Sequence, residues 1–242
     1  MSFNRFKDRM HAGHLLAKRL DRYAHDPNGI VLALPRGGVP VGFAVSKALG
    51  LPLDVMLVRK LGVPGHEELA MGAVASGGEF VVAPDVVQML GIPEHVIEAA
   101  ARREMAEIER REQLFRANRP PLQLQDRDVI LVDDGLATGS TMLAAVQAAR
   151  AQNPAQVVVA VPVGAPDTCR RLSSVADEVI CLRMPEPFYA VGMWYENFTQ
   201  TTDEEVIQLL DQAWQDQPGP SGHITGPGNI SQQNDHPGTR GR

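Results

Sequence analysis

One stretch limits what this chain can fold into more than any other: Val129-Ile130-Leu131-Val132-Asp133-Asp134-Gly135-Leu136-Ala137-Thr138-Gly139-Ser140-Thr141. Four branched apolar residues in a row predict a strand buried on both faces, as in a parallel sheet. Two carboxylates follow, then a loop of small and hydroxyl residues, then Met142-Leu143-Ala144-Ala145-Val146, which opens a helix. A loop of this kind aims backbone N–H groups, hydroxyls and the positive end of a helix dipole at one point, which suits a phosphate. The acids repel a phosphate, but they can accept hydrogen bonds from vicinal hydroxyls or sit near Mg²⁺. A sugar phosphate with its phosphate in the loop and its ring over the acids satisfies every group.

The thirteen residues VILVDDGLATGST resemble the phosphoribosyl pyrophosphate (PRPP) loop of type I phosphoribosyltransferases. No GxxxxGK[ST] occurs, so this is not a Walker A loop. A response-regulator acidic pocket also begins with a strand and paired acids, but it opens its domain and lacks the hydroxyl-rich loop. The resemblance implies an α/β fold with a doubly wound, mainly parallel sheet, a flexible lid loop and hairpin, and an inserted long helix. The alternative is an ordinary strand–turn–helix with exposed acids, which leaves no packing reason for an acid pair at a strand end.

Other segments agree with alternating strands and helices. Apolar positions at Phe6, Met10, Leu15, Leu16 and Leu20 predict a helix within Arg5–Tyr23. Asp26-Pro27-Asn28-Gly29 breaks the chain before the short strand Ile30–Leu34. That strand runs into Pro35-Arg36-Gly37-Gly38, where adjacent glycines permit close ligand approach and Arg36 supplies a fixed charge. By resemblance this is the pyrophosphate loop; alone, it is a glycine turn with a surface arginine. Asp54–Val58 predicts a third strand ending in Arg59-Lys60. In the family, basic residues at this point contact the diphosphate; the alternative is a solvated basic pair.

Leu61–Gly72, punctuated by Gly62, Pro64 and Gly65, reads as a mobile loop. The resemblance implies a lid that excludes water from an oxocarbenium-like centre, with His66 and Glu67 either positioning a reacting group or decorating a solvent loop. Ala73–Val82 predicts a hairpin with Ser76-Gly77-Gly78 in its turn. Pro93–Asn118 predicts a long helix, with charged residues three or four apart supporting it. Its stripe of Val96, Ile97, Ala100, Met105, Ile108, Leu114 and Phe115 reads as a face flanking the core; a cap or a subunit contact would use it too. Strands are predicted at Gln156–Val163 and Glu178–Leu182, and helices at Thr168–Leu172 and Asp203–Trp214.

Aromatics gather in Glu186–Phe198 although they make up only 5% of the chain. Several members of the family it resembles stack a C-terminal aromatic on the acceptor base, which makes Phe188 or Tyr189 a candidate; local packing or a subunit contact explains the cluster as well. Residues 1–216 form the expected domain. The tail, 217–242, has almost nothing to bury and is expected to be disordered.

A net charge of −6 argues against a general nucleic-acid binder, and the absence of a long apolar span argues against membrane insertion. Two cysteines, Cys169 and Cys181, are too few for a disulfide framework and read as buried reduced thiols of a cytoplasmic protein.

The resemblance assigns the 5-phosphate to Gly135, Leu136, Ala137, Thr138, Gly139, Ser140 and Thr141. It places ribose hydroxyls on Asp133 and Asp134, directly or through Mg²⁺, with these acids as the metal ligands. The diphosphate falls to Arg36, Gly37, Gly38, Arg59 and Lys60. Asp133, Asp134, Lys60 and His66 are the catalytic candidates. The implied reaction moves the 5-phosphoribosyl group of PRPP to a nitrogen acceptor, a nucleobase or related compound, with release of pyrophosphate. The rival is a PRPP- or nucleotide-sensing regulator that kept the fold without turnover. Leu136 follows Asp-Asp-Gly where some members carry a polar group, so the acceptor is unspecified. Small molecules are the implied partners, and a homodimer is one arrangement the family allows.

Overall fold

The computed structural model describes residues 5–215 apart from 79 and 118, and the side chains of Glu67 and Glu68 also lie outside the description. The expected tail, 217–242, therefore falls outside the described residues.

Five parallel strands form the central sheet: β1 (Gly29–Ala33), β2 (Leu53–Val55), β6 (Asp128–Val132), β7 (Gln156–Val163) and β8 (Glu178–Arg183), in the order β2-β1-β6-β7-β8. Three further strands, β3 (Val58–Val63), β4 (His66–Ala75) and β5 (Phe80–Val82), make a separate antiparallel sheet. Seven α-helices occur among the described residues: α1 (Arg9–Ala17), α2 (Gly38–Leu49), α3 (Pro84–Leu90), α4 (Glu94–Arg116), α5 (Ser140–Ala151), α6 (Pro166–Leu172) and α7 (Asp203–Gln215).

The sheet strands are apolar throughout because both faces are covered. Val31, Ala33, Ile130, Val132, Val158 and Ala160 face a core shared with α1, α2, α4 and α7. Their neighbours Ile30, Leu32, Val129, Leu131, Val157 and Val159 face a second core closed by α5 and α6. This is the expected doubly wound α/β arrangement. Burying one such Val, Leu or Ile side chain is worth roughly 1.5–3 kcal/mol.

In an open parallel sheet, ligands bind beyond the carboxyl ends of the strands where the winding direction reverses. Here the chain runs from β1 outward to β2, then returns to the other side of β1 as β6. The reversal lies between β1 and β6, in register from Gly29↔Asp128 to Ala33↔Val132.

Three local expectations need correction. The strand expected over Asp54–Val58 is cut short: β2 stops at Val55, and Val58 starts β3 of the second sheet. Leu61–Gly72, read as a loop, is mostly β3 and β4 in antiparallel pairing, with register shifts on either side of Gly62. A bulge lets a strand pass through a glycine that breaks alternation, which is why the segment reads as a loop. Cys169 on α6 and Cys181 on β8 form a disulfide across a Cα–Cα distance of 6.9 Å, so they are not separate reduced thiols. A cysteine count carries no information about which helix will lie against which strand.

The face of α4 is buried at Ile97, Ala100, Ile108 and Phe115, packed with Leu61 and Met71 of the β3–β4 hairpin and Val206 and Leu210 of α7. No helix among the described residues is long and apolar enough to cross a membrane.

Candidate active site

Two loops meet at the reversal point. Beyond β1, Leu34 donates its N–H to the carbonyl of Val132 at 2.9 Å, and Gly38 turns back to the carbonyl of Leu34 at 3.1 Å. This sets Gly37 against Asp134 and Gly38 against Asp133. A Cβ on Gly38 would stand 3.0 Å from Cα of Asp133 and 2.7 Å from the Val132 oxygen. Arg36 reaches toward α7, where Nη1 lies 3.7 Å from Oδ1 of Asp203.

The acids are held in different ways. Oδ1 of Asp133 accepts the N–H of Asp134 at 2.8 Å. Oδ2 of Asp134 accepts from Nε of Arg9 at 2.8 Å, and the Asp134 carbonyl accepts from the Tyr195 hydroxyl at 2.6 Å. Burial, followed by the neighbouring charge of Asp134, pushes the Asp133 carboxyl well above the usual carboxylate range. Burial raises Asp134 as well, and Arg9 opposes that shift. Tyr195 is pushed upward by burial and by Asp134, which keeps its hydroxyl a donor.

Beyond the acids, the loop is pinned on one side and open on the other. The Leu136 side chain is buried, its N–H donates to Val163 and its carbonyl accepts from Ala165, both at 2.9 Å. The Leu136 amide, expected to face a phosphate, is thus already engaged. Val191 lies over Gly135, where an added Cβ would come within 2.5 Å of its Cγ1. Thr168 donates to the carbonyl of Ala137 at 2.7 Å and Arg171 to that of Thr138. Gly139 adopts φ +70° at the cap of α5, a conformation that favours glycine. Ala137, Thr138 and Thr141 are exposed, and the hydroxyls of Thr138 and Ser140 lie 3.2 Å apart at the start of α5. The first turn of a helix leaves N–H groups without intrahelical partners, so residues 137–141 offer amides and hydroxyls to an anion.

The other candidates are placed elsewhere. Arg59 is paired with Glu104 of α4, at 2.9 Å through Nε and 2.8 Å through Nη2. Lys60, exposed on β3, lines with Arg59, His95 and Arg103 an open cleft of about 750 Å³ between the hairpin and α4. His66 is exposed where β4 begins. Phe188 packs beside Phe6, Val163 and Tyr195, whereas Tyr189 is 74% exposed.

Among the described residues no group of three or more His, Cys, Asp or Glu could hold a metal ion. With one oxygen of each acid already taken, the pair fits an ion held chiefly by ligand phosphates with one or two carboxylate contacts. Mg²⁺ is bound in that way in phosphate sites, rather than in a protein cage.

The residues missed by sequence reading are Arg9, Thr168, Arg171, Val191 and Tyr195. None carries a local signal: Arg9 looks like a helix surface cation and Tyr195 like one more member of an aromatic cluster.

Comparison with known proteins identifies the family. A family model for the phosphoribosyl transferase domain matches residues 65–193, just over half of the chain. Two Mycobacterium tuberculosis proteins, each named "Putative phosphoribosyl transferase" (Rv0571c of strain H37Rv and MT0597 of strain CDC 1551), are 47% identical over 211 residues. The match covers 87% of this chain and 47% of each relative, so the chain spans about half the length of these curated relatives. The crystal structure of TT1426 from Thermus thermophilus is 44% identical, with a TM-score of 0.78 over 86% of this chain and 98% of that one. The chain belongs to the phosphoribosyl transferase family.

Proposed function

We propose that this chain binds PRPP across the β1/β6 reversal and transfers its 5-phosphoribosyl group to a nitrogen acceptor, a nucleobase or related compound, releasing pyrophosphate. One observation carries the reading: Gly37 and Gly38 lie against the acid pair, next to Arg36 in the chain and beside a helix-capping loop rich in hydroxyls. Backbone N–H groups of 137–141 and the hydroxyls of Thr138, Ser140 and Thr141 would hold the 5-phosphate. Asp133 and Asp134 would accept from the ribose hydroxyls, each through the carboxylate oxygen that is not already bonded. Arg36, with the approach opened by Gly37 and Gly38, would receive the diphosphate.

Mg²⁺ bound with the diphosphate would neutralise its charge as it departs. The chain's own contribution is positioning and electrostatic stabilisation at a fixed site. The β3–β4 hairpin, with Lys60 and His66, is the element that would cover the reacting centre and exclude water.

The pairing of Arg59 with Glu104 takes one expected cation away from the diphosphate. It favours, as second reading, a sensor that binds PRPP without turning it over. Calorimetric titration of PRPP with MgCl₂ tests the shared part: wild type should bind, and D133N/D134N should not. A screen of bases and amines for pyrophosphate release separates enzyme from sensor. Absence of PRPP binding by the wild type would remove both readings.

A further inference from the structure

The Arg9 side chain bonds the acid loop and borders the glycine loop. Its Nε donates to Oδ2 of Asp134 at 2.8 Å and lies 3.3 Å from where a Cβ on Gly37 would stand. Its Nη1 donates to the carbonyl of Thr199 at 2.7 Å, and its guanidinium stacks 3.9 Å from the centre of the Phe198 ring. The Arg9 side chain is 11% exposed and that of Asp134 15%.

The supports of Arg9 come from both ends of the domain. Phe6, just ahead of α1, donates to the carbonyl of Trp194, and Glu196 returns a bond to Phe6, each at 2.8 Å. The same C-terminal segment supplies Tyr195, whose hydroxyl holds the backbone of Asp134. Asp134 is therefore fixed twice, through its carbonyl and through one carboxylate oxygen. A largely buried acid beside a second acid would otherwise rotate toward water, or away from its neighbour's charge. A guanidinium suits this task because it can give separate, in-plane hydrogen bonds to two acceptors while stacking on a ring; an ammonium cannot.

We propose that Arg9 is a positioning residue for phosphoribosyl binding: by holding Oδ2 of Asp134 it leaves Oδ1 as the fixed acceptor for the ribose. This rests on the proposed binding of PRPP over the acid pair. It gives the N-terminal helix a role in a site otherwise built from the β1 and β6 loops. It also makes the acids unequal, with Asp134 the anchored member.

The test is a double-mutant cycle read by calorimetric titration of PRPP with MgCl₂ at fixed ionic strength. The proteins are wild type, R9Q, R9K, D134N and R9Q/D134N, with ligand-free melting curves recorded for each. R9Q should weaken PRPP binding on the order of tenfold, the scale of one lost charge-assisted hydrogen bond. R9K should recover part of the loss. In the D134N background, R9Q should cost less than about threefold, because residues acting through one contact are not additive. Equal binding by wild type and R9Q overturns the inference alone, as does a full R9Q loss that persists in D134N. If R9Q does not melt cooperatively, R9K binding no better than D134N overturns it, and R9K between D134N and wild type supports it. A wild type that takes no PRPP overturns the proposed function, and this inference with it.

Discussion

A methyl group on Gly37 would collide with Oδ2 of Asp134. The backbone of Gly37 is an ordinary right-handed turn, φ −60° and ψ −31°, which any residue adopts. The glycine is therefore required for space alone, and the space is that between the proposed diphosphate loop and the acid pair. G37A should displace Asp134 from Arg9 and weaken PRPP binding by about tenfold or more, while overpacking costs about 1–3 kcal/mol of stability. Titration and thermal melting on the same protein check both halves. Unchanged PRPP affinity in a folded G37A protein would show that the two loops do not share a ligand.

Asp54 and Arg116 form a second tightly specified pair, remote in sequence and nearly closed to solvent, at 8% and 7% exposure. Nε and Nη2 of Arg116 bond the two carboxylate oxygens at 2.9 and 3.0 Å, and Nη2 also donates to the carbonyl of Pro120 at 2.7 Å. The pair fastens the end of α4 to β2. Removing one partner leaves a buried charge uncompensated, so D54A should cost about 3–5 kcal/mol in urea unfolding. The double replacement D54L/R116M should cost less than D54A, since no charge is stranded. A D54A midpoint near that of wild type would mean that water already reaches Arg116.

How much of this is legible in the sequence follows from how far apart the interacting groups lie. The β6–loop–α5 unit carries its geometry within thirteen residues: the apolar run sets the strand, Gly139 the cap, and Ser140 the helix start. β1, α2 and the Arg36-Gly37-Gly38 turn are local in the same sense. The bond from Arg9 to Asp134 crosses 125 positions and leaves no pattern near either end. The hairpin is obscured by Gly62, Pro64 and Gly65, which resemble loop punctuation until β4 supplies the partner. Arg59 reads toward the diphosphate because sheet strands present their carboxyl ends to ligands. It lies instead in the second sheet, where α4 offers Glu104.

The disulfide between Cys169 and Cys181 gives a third prediction. It ties α6 to β8, and α6 in turn grips the loop through Thr168 and the carbonyl of Ala137. Closing a short loop removes freedom mainly from the unfolded chain, on the order of 2–4 kcal/mol. A reductant such as dithiothreitol should therefore lower the melting temperature of wild type and leave that of C169A/C181A unmoved. Thiol titration under denaturing conditions supplies the companion count: no free thiol before reduction. Two free thiols in the unreduced protein would refute the link directly.

Asp128 gives the last prediction, with a sign opposite to the usual one for a carboxylate. It opens β6 beside the turn in which Oδ1 of Asp26 accepts the N–H of Asn28 at 2.9 Å. Burial first, and then the neighbouring Asp26, raise its proton affinity above the ordinary value. A carboxyl whose folded pKa lies above its unfolded value binds its proton more tightly in the folded state. Its stabilising contribution is full below the unfolded pKa and is lost as pH rises through the folded pKa. Above the folded pKa the wild type carries a charge that the fold disfavours, whereas an amide at this position keeps the neutral form throughout. D128N should melt higher than wild type near neutrality, and the gap should close as pH falls toward about 3, below the ordinary aspartate range. Thermal melts across that interval measure it. A D128N protein less stable than wild type at neutral pH would mean that the charged form of Asp128 is the one the fold prefers.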